Sequence, residues 1–364
     1  MAVTVDQFWA PVPGGTATSL ARFLQAHERL PAGERSRLIP VSAAHRRPAA
    51  DQFRIETKVR RLPLPRPVLF DTWRLLRLPP VELVTGRVDV LHATTMAIPP
   101  ATRPLVVTVH DLAFLNHPEH YTSRGNRFFR AGLERTRRHA RLVLVPSAHT
   151  RDECVQAGIA PERIRVVPWG VEPRRADPDA VRRVRTRFGL NHDYVLWCGT
   201  AEPRKNLPGL LAAFAQVAAR EAGIDLVLVG PKGWGDAQGA GPRPPAERVH
   251  TLGFVDDADL VALYTGAEAF CYPSIEEGFG LPVLEAMGAG TPVVTSTGTP
   301  MAELVGAAGL AESAHDPTAL AQALLTVLRR RDDFAAAAGP RAAAFSWEAT
   351  ARATEQAYRD AAAG

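Results

Sequence analysis

Few cysteines and no long apolar runs are present in the sequence. Cys154, Cys198 and Cys271 lie far apart, and no two of them form a C-x-x-C pair. This spacing argues against a disulfide framework and against a cysteine zinc site. The apolar neighbours of Cys198 and Cys271 predict small buried side chains. No stretch approaches the roughly 20 apolar residues that a membrane-spanning helix needs.

Signals of several other protein classes are also missing. The first residues, MAVTVD, have no basic region followed by an apolar run, so we expect no secretory signal and a cytoplasmic location. No G-x-G-x-x-G follows a predicted strand, which disfavours an NAD-dependent enzyme. The patterns of a zinc finger and of an RNA-recognition domain are absent, so no nucleic-acid partner is expected. A pI of about 9.4 keeps a basic nucleic-acid-binding protein as an alternative.

Positive charge is concentrated in the first half of the chain. The 364 residues have a formal net charge of +5 and are enough for two domains of roughly 100–200 residues each. Residues 1–170 contain 25 Lys and Arg against 14 Asp and Glu, a balance of +11. Residues 171–364 contain 18 against 24, a balance of −6. This asymmetry predicts that one half meets an anionic partner.

Short apolar runs alternate with helical patterns along the chain. Their near-continuous apolar character is typical of parallel strands buried on both faces, and the repeated strand–helix order predicts doubly wound α/β sheets. A segment rich in proline and charge at 169–179 marks a domain boundary near residue 175. The predicted strands are Val3–Asp6, Val88–His92, Leu105–His110, Leu142–Pro146, Ile164–Pro168, Tyr194–Gly199, Asp225–Gly230, Val249–Gly253, Ala269–Pro273 and Thr291–Thr295.

The segment 272–294, YPSIEEGFGLPVLEAMGAGTPVV, contains the densest set of functional signals. It predicts a strand that ends at Tyr272, a glycine-rich turn, and a helix with Pro282 at its first position. The backbone amides of Gly278, Phe279 and Gly280 then lie at a helix N-terminus. Amides in that position, together with the helix dipole, form a binding site for a phosphate.

Glu277 and Glu285 are carboxylates of this segment that can accept hydrogen bonds from sugar hydroxyls. The alternative is that both only favour the helix N-terminus electrostatically. The whole segment resembles the signature of glycosyltransferase family 4, an E-x7-E pattern within P-S-x-x-E-G-F-G-L-P-x-x-E-A-M. The resemblance implies that Glu277 contacts the transferred sugar and that Glu285 holds the ribose of the nucleotide. The donor-binding residues that it implies here are Gly278, Phe279, Gly280 and Leu281.

The resemblance extends from about Ala2 to Tyr358 and implies the GT-B fold of that family. This fold has two Rossmann-like doubly wound parallel-sheet domains with an interdomain cleft. We therefore expect an acceptor-binding domain at 1–174 and a domain that binds the nucleotide sugar at 175–345. A C-terminal helix at 346–364 is expected to cross back and pack on the first domain.

A second matching segment is CGTAEPRKNL at 198–207. It predicts a strand, a turn at Gly199 and a helix capped by Asn206. Two adjacent cations at the carboxyl end of a strand, Arg204 and Lys205, can neutralise a diphosphate. The resemblance implies that they stabilise the leaving nucleoside diphosphate, and the alternative is a solvated Arg-Lys pair.

Weaker matches lie in the first half of the chain. The turn PGGT at 13–16, with Gly14 and Gly15, closes on the donor phosphates or the acceptor in the family, but it also suits an ordinary turn. A histidine placed like His110 hydrogen-bonds the donor sugar in the family, whereas a lone histidine at a strand end is often structural. Trp169 stands where the family usually has Asn, which puts the polar contact of that Asn in doubt and favours a packing role.

Asp257 and Asp259 form a D-x-D pair of the kind that holds a metal in other glycosyltransferases. Asp256 and Asp257 directly precede a helical run, however, and capping of that helix explains them. We therefore predict no metal site and no cofactor. Charge stabilisation is assigned to Arg204, Lys205 and the helix amides.

The family transfers sugars with retention of the anomeric configuration. No carboxylate of the matched motifs stands out as a covalent nucleophile, so the resemblance implies front-face attack by the acceptor hydroxyl. The stretch 110–119 is similar to mannosyltransferases, which favours GDP-mannose over UDP-sugars and leaves glucose and N-acetylglucosamine open. The acceptor class stays open between a glycan, a lipid-linked molecule and a small molecule. A catalytically inactive GT-B binding protein is the alternative to an enzyme.

A run of arginines between Arg124 and Arg141 predicts a basic helix in the first half. Phe129, Leu133 and Ala140 can line one face, with arginines over much of the rest. Such a helix can lie on an anionic membrane surface, which gives a possible peripheral contact at the inner face of the membrane. The alternative is a core helix with a solvated, arginine-rich face.

Overall fold

The computed structural model describes residues 1–10, 14–53, 55–233 and 241–363, so Pro13 of the predicted PGGT turn lies outside the described residues. The helices are α1 (Gly15–Arg29), α2 (Arg66–Leu75), α3 (Glu82–Thr85), α4 (Ala113–Asn116), α5 (Ser123–His139), α6 (Ala148–Gln156), α7 (Pro178–Phe188), α8 (Leu207–Ala218), α9 (Asp257–Thr265), α10 (Leu281–Gly288), α11 (Pro300–Val305), α12 (Pro317–Arg329), α13 (Arg331–Ala343) and α14 (Trp347–Ala363). The strands are β1 (Ala2–Thr4), β2 (Ile39–Ala44), β3 (Arg60–Pro65), β4 (Leu91–Ala93), β5 (Leu105–Thr108), β6 (Ala140–Val145), β7 (Ile164–Val166), β8 (Asp193–Cys198), β9 (Ile224–Val229), β10 (Val249–Gly253), β11 (Ala269–Tyr272), β12 (Val293–Ser296) and β13 (Gly309–Glu312).

The chain divides into two compact units. The first contains Met1–Gly170 together with Trp347–Gly364, and the second contains Val171–Ser346. The division falls a few residues before the boundary expected near 175. The backbone amide of Val171, the first residue of the second unit, donates to the carbonyl of Phe345 near the end of that unit at 3.0 Å.

Each unit is built on one parallel sheet. The first has seven strands in the order β3-β2-β1-β4-β5-β6-β7, and the second has six in the order β10-β9-β8-β11-β12-β13. All neighbouring strands in both sheets run parallel. The central strands are almost fully buried, as expected for sheets that carry helices on both faces. The predicted α/β class with two doubly wound sheets is confirmed.

All ten predicted strands overlap observed strands, and three strands were missed. β3 has the sequence RRLPLP and lies at the edge of its sheet. Charged residues and prolines are tolerated there because an edge strand forms backbone hydrogen bonds with a neighbouring strand on one side only. β2 and β13 contain proline, glycine or acidic residues and have no continuous apolar run. Cys198 at the end of β8 is partly exposed rather than buried, whereas Cys271 is fully buried.

The predicted basic helix is shorter than expected. α5 ends at His139, so Ala140 and Arg141 belong to strand β6. Leu133 is buried, and the ring of Phe129 packs on Phe114 with centroids 5.3 Å apart. The apolar side of α5 is therefore used inside the first unit, and the arginine-rich side faces solvent, which is the alternative stated above for this helix.

Helix α14 packs within the first unit although it ends the described chain. The hydroxyl of Tyr358 lies 2.7 Å from Nδ1 of the buried His92. Glu355 accepts from the amide of Ser36 at 3.0 Å and lies 3.0 Å from Nε2 of His27. These buried polar contacts connect α14 to α1 and β4 and satisfy groups that would otherwise be buried without partners. Among the helices described, none combines the length and apolar character needed to cross a bilayer.

Candidate active site

The second unit brings the two matched segments together where the strand order of its sheet reverses. β8 and β11 are neighbours there, with β9 and β12 on their outer sides. Ligands of open α/β sheets bind beyond the carboxyl ends of strands at such a reversal. The loops after β8 and β11 are joined by a hydrogen bond from the amide of Ile275 to the carbonyl of Arg204, at 2.8 Å.

A buried ion cluster occupies this position. Lys205 ends a 3-10 turn, Pro203–Lys205, and its Nζ contacts Oε1 of Glu277 and the hydroxyl of Tyr272. Arg204 Nη1 lies 3.1 Å from Oε2 of Glu277, so one carboxylate pairs with both cations. Ser274 completes the cluster by donating its hydroxyl to Oε1 of Glu277 at 3.1 Å.

The protonation states in this cluster follow from burial and from mutual pairing. Burial alone raises the pKa of Glu277, but the nearby Lys205 and Arg204 outweigh it and hold that pKa at about 2. Burial and the charge of Arg204 lower the pKa of Lys205, and Glu277 opposes this shift. Lys205 and Glu277 therefore form an ion pair at neutral pH, since each ionised group stabilises the other.

Each cation of the cluster has a carboxylate partner. Arg204 also pairs with Glu202, with Nε and Oε2 3.0 Å apart. Two cations are thus matched by the carboxylates of Glu202 and Glu277. Arg204 and Lys205, which were predicted to bind the diphosphate, lie close together. Both form ion pairs with Glu277, which was predicted to bind the sugar.

The turn before α10 has the backbone that the sequence predicted. Gly280 is the N-cap with φ of 103°, and a Cβ at this position would lie 2.5 Å from Cγ of Met301. Glycine is therefore required here by both conformation and space. The N-cap residue, Gly280, supplies no side-chain cap, and backbone amides at a helix N-terminus suit an anion. Leu281 is the first helical residue, so Pro282 occupies the second position and not the first.

The remaining donor-binding candidates of the second unit surround this turn. The Phe279 ring is buried and packs edge-on against Phe345, with centroids 6.2 Å apart, so only its backbone can face a ligand. Glu285 lies one turn into α10 and is half-buried, and the hydroxyl of Tyr264 lies 3.4 Å from its Oε2. Gly278 precedes Phe279 in the same turn.

A glycine that the sequence analysis missed lies beside Gly199. A Cβ on Gly199 would make only ordinary contacts, at 3.6 Å or more. Gly230, by contrast, has φ of 130°, and a Cβ there would lie 2.0 Å from the carbonyl oxygen of Gly199. The close approach of the loops after β8 and β9 therefore depends on Gly230. Tyr272, Ser274 and Glu202 were also missed, although all three lie within or beside the matched motifs.

In the first unit, His110 follows β5 and presents an unused acceptor atom. Its Nε2 lies 2.8 Å from the carbonyl oxygen of Thr94, and because a carbonyl only accepts, Nε2 carries the proton. Nδ1 is buried and has no hydrogen-bond partner among the described residues. Burial lowers the pKa of His110, so the ring is neutral. Trp169 packs beside it, with ring centroids 5.3 Å apart.

The glycines of the predicted PGGT turn lie at the start of α1. Gly14 is the N-cap and Gly15 is the first helical residue, and both are exposed. Gly14, as the N-cap, supplies no side-chain cap for this helix. Gly14, Gly15 and His110 belong to the first unit, whereas Arg204, Lys205, Glu277 and Glu285 belong to the second. The roles of these residues stay predictions.

Both aspartates of the D-x-D pair form ion pairs with arginines. Asp256 caps α9 by accepting from the amide of Asp259 at 2.8 Å. Asp257 pairs with Arg174 at 2.9 Å, and Asp259 pairs with Arg187. Elsewhere in the described part of the chain, His117, Glu119 and His120 are the one group of possible metal ligands within 4.8 Å of one another.

Comparison with known proteins agrees with this architecture. Family models for "Glycosyltransferase Family 4" and "Glycosyl transferases group 1" match residues 13–175 and 192–330. O-antigen chain mannosyltransferase B of Escherichia coli is 33% identical over 310 residues, which cover 81% of each chain. MMP alpha-(1->4)-mannosyltransferase of Mycolicibacterium hassiacum is 32% identical over 46% of this chain and 39% of its own.

A solved structure shows the same fold over the whole chain. Anabaena HepE in complex with UDP and glucose is 23% identical, with a TM-score of 0.74 and 98% coverage of both chains. The two parallel-sheet units thus form the GT-B fold. Together with the family models and the Escherichia coli relative, this assigns the chain to glycosyltransferase family 4, as its motifs indicated.

Proposed function

We propose that this glycosyltransferase transfers a hexose from a nucleotide diphosphate sugar to a hydroxyl group, with retention of configuration and without a metal. Mannose from GDP-mannose is the favoured donor. The observation that supports this proposal most directly is the Lys205–Glu277–Arg204 cluster at the reversal point of the second sheet. A pair of cations beside a helix N-terminus with glycine at its N-cap suits a diphosphate.

Each group of the site has a role in this proposal. Lys205, Arg204 and the first amides of α10 bind the diphosphate, and Glu285 accepts hydrogen bonds from the ribose. Glu277, ionised at neutral pH, turns from the cations to the sugar hydroxyls when the donor binds. Nδ1 of His110 accepts a hydrogen bond from a sugar hydroxyl, because Nε2 is committed to Thr94.

The transfer step needs no protein nucleophile. The acceptor oxygen bonds to the anomeric carbon on the face from which the diphosphate departs, and the carbon–oxygen bond to the phosphate breaks. The acceptor proton moves to the departing phosphate oxygen. Lys205 and Arg204 stabilise the negative charge that develops on the phosphate, and fixed charges of this kind are typically the largest catalytic contribution.

The donor and acceptor are inferred from relatives. The Escherichia coli and Mycolicibacterium proteins are named as mannosyltransferases, which supports mannose. HepE was crystallised with UDP and glucose, which keeps UDP-glucose as the second candidate. A glycan, a lipid-linked molecule and a small molecule remain the acceptor classes. A peripheral contact with an anionic membrane is part of the proposal, since it would bring the enzyme to a lipid-linked acceptor.

A donor and acceptor panel tests this proposal. Mass spectrometry of products from GDP-mannose, UDP-glucose and UDP-N-acetylglucosamine, each with oligosaccharide and lipid-linked acceptors, should show one hexose added from GDP-mannose. Coupling constants of the new linkage in NMR spectra should show the donor's anomeric configuration. An inverted linkage would contradict the front-face step. Binding of donors without transfer or hydrolysis would support the inactive binding protein instead.

A further inference from the structure

Two histidines and a glutamate meet in a short turn between α4 and α5. His117 is both the last cap of α4 and the N-cap of a 3-10 turn, Pro118–His120, and these four residues are hereafter the histidine turn. A 3-10 turn has three residues per turn, so side chains at positions i and i+3 lie on the same side. The sequence HPEH therefore places His117 and His120 on one side, with Glu119 beside them.

Backbone contacts hold the histidine turn in this shape. The amide of His117 donates to the carbonyl of Ala113 at 2.8 Å, and the amide of His120 donates to the carbonyl of His117 at 3.1 Å. Nδ2 of Asn126, in α5, donates to the carbonyl of Pro118 at 2.7 Å. The turn is thus connected to both neighbouring helices, and its side chains project from a fixed backbone.

The three side chains converge to the spacing that one metal ion requires. Oε1 of Glu119 lies 3.2 Å from Nδ1 of His117 and 3.7 Å from Nε2 of His120. One possible ligand atom from each residue lies within 4.8 Å of the other two. Ligand atoms on a tetrahedral zinc ion are about 3.3 Å apart, because metal–ligand distances are about 2.0–2.2 Å. Small side-chain rotations are therefore enough to complete the site.

The spacing of the two imidazole rings agrees with a shared ion. The ring centroids of His117 and His120 are 5.1 Å apart. Two imidazoles on one tetrahedral zinc ion have centroids about 5 Å apart, since each centroid then lies about 3.2 Å from the metal. The side chain of Glu119 is 63% exposed and that of His120 is 19% exposed, so an ion can enter from solvent on the carboxylate side.

The donor set of the histidine turn favours zinc. Two imidazole nitrogens and one carboxylate oxygen suit Zn²⁺, whereas Mg²⁺ and Ca²⁺ prefer oxygen ligands alone. We propose that His117, Glu119 and His120 bind one Zn²⁺ ion, with water in the fourth position, and that the ion fixes the segment between β5 and α5. This segment begins with His110 and belongs to the first unit. The ion takes no part in the transfer step proposed above.

Zinc titration of the full chain tests this proposal. After treatment with a chelator and dialysis, isothermal titration calorimetry with Zn²⁺ alone should show one ion bound per wild-type chain. Groups that only contact the ligands of a metal typically change its affinity about 10–100-fold. Loss of a direct ligand in Glu119→Gln or His117→Gln should therefore raise the Kd at least about tenfold. His139→Gln removes an exposed histidine at the end of α5 and should leave the Kd unchanged.

Two further measurements locate the ion. Co²⁺ in place of Zn²⁺ should give the visible absorption of a four-coordinate ion in the wild-type protein and not in Glu119→Gln. Zinc should raise the Tm of wild type, because a ligand that binds only the folded state stabilises it. It should also slow amide exchange over residues 110–126. Glu119 is exposed, so Glu119→Gln should keep the fold and lose both effects.

Either of two results would overturn the proposal. Equal zinc affinity of wild type, Glu119→Gln and His117→Gln would mean that the ion binds elsewhere on the chain. No zinc binding by wild type would make the histidine turn an ordinary contact between a carboxylate and two imidazoles. All of these measurements are made without donor or acceptor, so their outcome is independent of the proposed transferase activity.

Discussion

Replacing Glu277 by glutamine should separate nucleotide binding from sugar transfer. In the structure the carboxylate pairs with Lys205 and Arg204, and Glu202 pairs with Arg204 as well. The cluster therefore has two positive and two negative charges. Glutamine keeps the shape of the side chain and removes one negative charge, so the cations meet a diphosphate with a net positive charge.

Coulomb's law gives the size of the effect on binding. One unit charge about 6 Å from a phosphate charge contributes about 0.7–3 kcal/mol for effective dielectric constants between about 80 and 20. This range corresponds to roughly 3- to 100-fold in Kd. Isothermal titration calorimetry of Glu277→Gln should therefore show a Kd for GDP or UDP at least about threefold lower than that of wild type. Donor turnover should fall about 10²–10³-fold, because the carboxylate that the proposal places on the sugar hydroxyls is lost.

The same variant should be less stable without a ligand. A pKa held at about 2 instead of 4.5 corresponds to about 3 kcal/mol of stabilisation of the ionised form. Because this pKa is lowered in the folded state, the stabilisation is fully present above about pH 4.5 and is lost as the pH falls toward 2. The stability difference between wild type and Glu277→Gln in denaturant titrations should shrink over that pH range.

A matched control removes a carboxylate elsewhere in the same unit. Glu303 is exposed on α11, and Glu303→Gln should leave both the Kd and the turnover unchanged. The reasoning is refuted if Glu277→Gln weakens diphosphate binding as strongly as Lys205→Ala does. That result would mean that the carboxylate helps to organise the cations for the phosphate and does not compete for them.

Three further predictions concern the same site. Lys205→Ala should lower turnover about 10²–10³-fold, and retention of half the wild-type rate would contradict its role at the leaving group. Glu285→Ala should weaken binding of both the free nucleoside diphosphate and the donor in calorimetry; unchanged diphosphate binding would exclude the ribose contact. Activity should survive a chelator, because Asp257 and Asp259 pair with arginines, and loss of activity with rescue by manganese would revive a metal site.

Local sequence signals were sufficient to predict most of the strands. β5 and the Leu226–Val229 part of β9 are almost entirely apolar, and their burial on both faces requires that composition. β3 was missed because an edge strand needs little apolar surface, and its pairing with β2 is set by the sheet and not by its own residues. The end of α5 was misplaced because Ala140 and Arg141 fit the helical pattern as well as the strand that they join.

The members of the candidate site could be predicted, but their pairing could not. Lys205 and Glu277 are 72 residues apart, and only the adjacency of β8 and β11 brings them into contact. The motifs assign one residue to the phosphate and the other to the sugar, and nothing in their spacing indicates that the two side chains pair with each other. Gly230 was missed for a related reason, since its close neighbour is the backbone of a different loop.

The position of α14 determines the order in which the two units can be completed on the ribosome. The second unit, Val171–Ser346, is continuous in sequence and is translated in full before α14. The first unit must wait, because its buried His92 and His27 find Tyr358 and Glu355 only when the last helix arrives. Nascent chains usually finish their N-terminal domain first. Here the first unit is completed last, because its helix α14 is translated after the whole of the second unit.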